Sequence, residues 1–70
     1  MKPTRTSIQF GRSLQRLRAE ADLTQDGLAK LSRVEQNHIS KLERGERLPS
    51  WTTMRKLVDV LGHPERLLLL

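Results

Sequence analysis

Seventy residues without a cysteine make one small domain at most, with neither disulfides nor thiolate metal ligands to support it. At 36% hydrophobic and 30% charged residues the composition is that of an ordinary globular chain, and no apolar run is long enough for a signal peptide or a membrane span; the closing Leu67 to Leu70 is far too short. A formal charge of +5 and a pI near 10.8 favour a polyanionic partner.

Residues 1–6, with Pro3 among polar and basic neighbours, are expected to form a flexible arm. From Ser7 the pattern turns helical: Phe10, Leu14, Leu17 and Ala21 recur at helical spacing, with Arg12 and Arg16 off that stripe. Asp22 ends the helix, its short polar side chain suiting a left-handed turn. Thr24 is a good N-cap for a second short helix, about 24–31, with Leu28 and Ala29 on its apolar side. Ala29 sits where this helix meets the next one, which calls for a small side chain. Only Ser32, Arg33 and Val34 separate it from a third helix, about 35–44, closed by Gly45 as a residue after a helix end should be. On a helical wheel Ile39 and Leu42 take one side of this third helix, with Glu43 at the edge. Gln36, Asn37, Ser40, Lys41 and Arg44 take the other side. After a loop containing Pro49, Ser50 caps a fourth helix with Trp51, Met54, Leu57, Val58 and Leu61 inward, stopped by Gly62. Trp51 is expected in the core or at a dimer seam. Pro64 suits the first turn of a fifth helix.

Two short helices joined by a tight turn describe a helix-turn-helix, and the second of them presents amides, a hydroxyl and cations with no apolar residue between. Those side-chain types bond base edges and phosphates in a major groove. The cations are spread over several segments, and amides share the stripe; a membrane-surface helix would instead set cations beside bulky apolar groups. Nucleic acid is the better reading, in a cytoplasmic setting.

The stretches LRAEADLTQDGLAKL, VEQNHISKLERGERLPS and MRKLVDVLG resemble, in order and spacing, the Cro and phage-repressor type of helix-turn-helix domain, the XRE family, over roughly residues 8 to 66. The resemblance implies an all-α, compact five-helix bundle of the lambda-repressor kind over residues 7–70. It also implies a homodimer placing two third helices in successive major grooves about 34–36 Å apart. An Arg18–Glu43 ion pair is implied between helix one and the end of helix three. Gln25 takes the place of the family's phosphate-gripping glutamine, assisted by the helix dipole. The sequence departs from the family at Gly27, where a glutamate would complete a capping box, and at Arg33 and Asp22, where turn glycines are usual. Glu35 replaces the usual Ser or Thr; its carboxylate suits the helix dipole but repels phosphate.

For base reading the candidates are Gln36 and Asn37 first, since an amide bonds adenine bidentately, then Lys41 and Ser40. Lys30, Arg44 and Arg47 join Gln25 as phosphate candidates, weighed against simple solvation. Leu67, Leu68, Leu69 and Leu70 exceed what one small core hides, so they are assigned to a homodimer interface, as helix or as a short intersubunit strand. His38, expected to be solvated or phosphate-facing, and His63, at a helix boundary, have no nearby co-ligand at metal spacing. No motif sets a nucleophile beside a base, and the glycines are too scattered to cradle a nucleotide. The reading is therefore a double-stranded-DNA-binding regulator, most simply a repressor, without enzymatic activity, cofactor, metal or membrane. The alternative is an antitoxin that also neutralises a partner toxin protein.

Overall fold

A computed structural model describes residues 3–67. Among them lie five helices in the order α1 (Arg5–Glu20), α2 (Gln25–Ser32), α3 (Gln36–Glu43), α4 (Trp51–Leu61) and α5 (Pro64–Leu67). α1 lies against α3 and α5, while α2 lies against α3 and α4. The core they enclose contains Phe10, Leu14, Leu17, Leu28, Ile39, Leu42, Leu57 and Leu67, each no more than 3% exposed.

α1 starts two residues before the expected Ser7. Thr4 and Ser7 form a reciprocal capping box, the Ser7 amide donating to Thr4 Oγ1 and the Thr4 amide to Ser7 Oγ. That pairing satisfies two otherwise orphaned donors, so residues 5 and 6 join the helix rather than an arm. At the other end Ala21 leaves the expected stripe: it is the exposed C-cap, and Asp22 turns the chain with φ of 58°. α2 and α3 are shifted or trimmed by a residue at each end. Thr24 caps α2 by accepting from the Gly27 amide at 2.9 Å, and Glu35 and Arg44 become the caps of α3.

Two further expectations change. Trp51 is 73% exposed. It opens α4 and lies roughly 120° around the wheel from Leu57, so the core reaches Met54 and Leu57 and leaves the indole outside. Leu67, assigned above to a dimer interface, is only 1% exposed and fills this chain's own core. α5 is folded back onto α1 to place it there, with Arg66 gripping Glu20 through two hydrogen bonds of 2.9 and 3.0 Å. Leu68, Leu69 and Leu70 lie outside the described residues.

Candidate nucleic-acid interface

The two turns of α3 bury Ile39, Leu42 and Glu43 and leave Gln36, Asn37 and Lys41 exposed. Neither amide side chain is bonded to another described residue, and Lys41 is in no ion pair among them. Their donors and acceptors are therefore uncommitted within the described residues and open to base edges. Ser40 differs: half-buried, its hydroxyl accepts from Arg44 Nη1 at 2.5 Å. Arg44 in turn pairs through Nε with Glu46, whose carboxyl that hydrogen bond holds below the usual range. A phosphate approaching Arg44 has to displace an existing partner. Lys30 is similarly paired with Asp26 one turn back at 3.1 Å, although its side chain stays 77% exposed. Arg47 is exposed in the loop after α3.

Gln25 is turned inward. Its amide nitrogen donates to Glu43 Oε1 at 3.0 Å, which leaves one N–H of that group for a phosphate. Glu43, its side chain 1% exposed, is the hub of a buried network. Arg18 reaches it with Nε at 2.7 Å and Nη2 at 3.0 Å, and donates Nη1 to the Leu23 carbonyl at 2.9 Å. Hydrogen bonding to Glu43 raises the Arg18 guanidinium above its ordinary pKa. The network ties α1, the start of α2 and the end of α3 into one joint.

Two more contacts fasten that end of α3, and neither was singled out from sequence. The Ser7 hydroxyl donates to the Gly45 carbonyl at 2.7 Å in a buried setting. Gly11 faces the last carbonyls of the helix so closely that a Cβ there would stand 2.5 Å from the Leu42 oxygen and 2.6 Å from that of Glu43. A glycine in mid-helix beside an apolar stripe costs about 1 kcal/mol relative to Ala, and that cost was the available signal of a packing role.

The amino end of α3 is built more loosely. Glu35 caps it with no side-chain hydrogen bond, and the turn before it uses Arg33 in the left-handed conformation (φ 62°, ψ 29°). His38 is half-buried rather than simply solvated, and its Nε2 is buried without a hydrogen-bond partner. Burial, then the nearby Arg47 and Lys41 charges, lower its pKa from the ordinary 6.5, against an opposing pull from Glu35. His63 joins α4 to α5 with φ of 54°. Among the described residues no three His, Asp or Glu converge on a possible metal position, and no helix is long and apolar enough to cross a membrane.

Residues 9–69 match a protein family described as a helix-turn-helix domain. An uncharacterised HTH-type transcriptional regulator of Sinorhizobium fredii, y4dJ, is 40% identical over 52 residues, 74% of this chain and 68% of that one. Among solved structures, the restriction-modification controller protein C.AhdI of Aeromonas hydrophila superposes with a TM-score of 0.81 at 34% identity, covering 87% of this chain and 94% of its own. The clp gene regulator ClgR of C. glutamicum gives 0.82 at 28% identity, covering 94% and 87%.

Proposed function

The chain belongs to the helix-turn-helix domain family and is a transcriptional regulator of that kind, and from that premise we propose that it reads a near-palindromic operator as a homodimer and represses the promoter it occupies. The observation that carries this reading is α3 itself: unbonded amides and an ammonium on its outer face, with its far end locked by the Arg18–Glu43–Gln25 network. A locked helix presents Gln36, Asn37 and Lys41 from a fixed backbone, so little backbone entropy is lost when they meet bases. Gln25, Lys30, Arg44 and Arg47 grip phosphates. Three of these are already bonded within the protein, so part of their contribution is an exchange of partners rather than a new bond.

The second subunit docks on the face formed by α4 and α5. Trp51, Met54, Arg55, Val58 and Pro64 line an apolar groove there of about 220 Å³, and Trp51 leaves most of its indole in water. Large exposed aromatics of this sort anchor interfaces. The antitoxin reading uses this groove too, with a toxin in place of the second copy. A regulator of this kind works in the compartment that holds the DNA.

Purification from the native host separates the two: a stoichiometric second protein favours the antitoxin. Titration of a selected duplex against bulk competitor DNA at moderate salt tests the shared premise. The repressor reading predicts two chains per duplex and a clear preference over competitor; one chain per duplex, or no preference, contradicts it.

A further inference from the structure

We propose that the flank of α1 bearing Arg12, Gln15 and Arg16 is a second phosphate site, which takes a backbone phosphate of the DNA just outside the half-site read by α3. This inference rests on the DNA-reading function above and extends its footprint. The side of α1 carries a shallow depression of about 480 Å³ lined by Arg12, Gln15, Arg16, Arg18 and Ala19. Three guanidinium groups and an amide border it, and no carboxylate does. Arg18 is already committed on all three nitrogens, two to Glu43 and one to the Leu23 carbonyl. Arg12 and Arg16 are exposed, one helical turn apart, and in no ion pair among the described residues. The carboxylate nearest in sequence, Glu20, lies one turn beyond Arg16 and is taken by both terminal nitrogens of Arg66. Glu20 still feels the Arg16 charge, but Arg12 and Arg16 leave the depression with an excess of positive charge in the form of planar donors suited to phosphate oxygens.

Its position ties it to the nucleic acid. The Arg18 wall bonds Leu23, which immediately precedes Thr24, the cap of α2. The carboxylate that Arg18 grips also takes Gln25, the first residue of α2. Through Arg18 the depression is linked to the amino end of α2, where a phosphate is favoured by the helix dipole and unpaired amides. Each nucleotide of a strand advances its phosphate by about 3.4 Å of duplex axis, so a strand gripped at α2 offers further phosphates to the adjoining flank of α1. The depression is open rather than enclosed, which suits a passing chain better than a free solute.

The test compares the full chain with an Arg12→Gln, Arg16→Gln double variant. Both positions are exposed and glutamine keeps helix propensity, so the fold is retained, as a melting curve checks. Affinity is measured against salt on the duplex recovered by selection, once trimmed to the two half-sites and once with about one extra helical turn on each side. On the long duplex the variant is expected to bind several-fold more weakly, with a salt slope shallower by about 1 per chain; on the trimmed duplex the two proteins coincide. Equal slopes on the long duplex overturn the proposal, as does an equal loss on both lengths. A tripolyphosphate arm separates the other source of phosphate: displacement of the long duplex from the wild type alone assigns the site to a free phosphorylated solute and also overturns it. A wild-type protein without any sequence preference sinks base reading by α3, whereas the slope difference on an arbitrary long duplex still decides the α1 site.

Discussion

At its carboxyl end α3 is fastened by a bidentate arginine, a buried serine hydroxyl and a glycine pressed against its last carbonyls. At its amino end the cap makes no side-chain bond, the preceding turn bends through a left-handed arginine, and two free amides face solvent. Order is concentrated at the carboxyl end, and unspent hydrogen-bonding capacity at the amino end. A helix clamped at one end can carry poorly satisfied groups at the other without losing its orientation, and satisfying those groups is left to the DNA.

The sharpest way to break this contrast is at the clamp. Arg18→Ala strands Glu43, whose side chain is 1% exposed, with Gln25 as its remaining side-chain partner. The expected loss is roughly 3–5 kcal/mol in urea or thermal unfolding, with a collapse of DNA affinity that follows the unfolding. Gly11→Ala attacks the same end sterically, since its Cβ meets backbone oxygens that cannot rotate away. About 1–3 kcal/mol of destabilisation is expected, together with weakened binding even under conditions where the variant is folded, because α1 and α3 must separate.

The turn before α3 and the first turn of α2 should respond in the opposite direction. Arg33→Gly relieves left-handed strain of about 1–2 kcal/mol, partly offset by the entropy glycine gives the unfolded chain. Gly27→Glu restores helix propensity and a capping box, against a tight approach of the new Cβ to the Thr24 hydroxyl, 3.2 Å away, which the cap must relieve by a few tenths of an ångström. Each is expected to add up to about 1 kcal/mol, a rise of about 4–8 °C in Tm per kcal/mol gained. A fall in Tm for both would place the turn and the cap elsewhere.

The smallest effect concerns His38. Its folded pKa lies below the ordinary 6.5, so the unfolded chain binds the proton more readily. Its contribution to stability is complete above pH 6.5 and is lost as pH falls through the depressed folded value. His38→Gln is expected to flatten the stability profile in that acidic window and leave the profile above it unchanged; an unaltered acid limb contradicts the assignment.

Much of the helix-turn-helix was legible in the sequence, because it depends on local rules: Thr24 as the cap of α2, Arg33 at the turn, and the 100° period that puts Gln36, Asn37 and Lys41 on one side of α3. The clamp was legible only where a family resemblance supplied Arg18 with Glu43. Ser7 and Gly11 act on residues 38 and 31 or more positions away, and no local period encodes such a meeting. Two apolar assignments also went astray for physical reasons. A run of leucines has no diagnostic period, so Leu67 could not be told from a dimer residue, and it proved to be core. Trp51 matched the α4 stripe in spacing but opens the helix at the edge of that stripe, beyond the reach of the packing.

The most direct measurement is selection from random duplex DNA, run in parallel with the wild-type chain and with Asn37→Ala. The wild type should enrich inverted half-sites whose centres lie about 34–36 Å, one helical turn, apart. Asn37→Ala should relax the base at one position of each half-site and preserve the spacing. Recovery of no common sequence by the wild-type protein, or an identical motif from both proteins, would contradict base reading through the exposed face of α3.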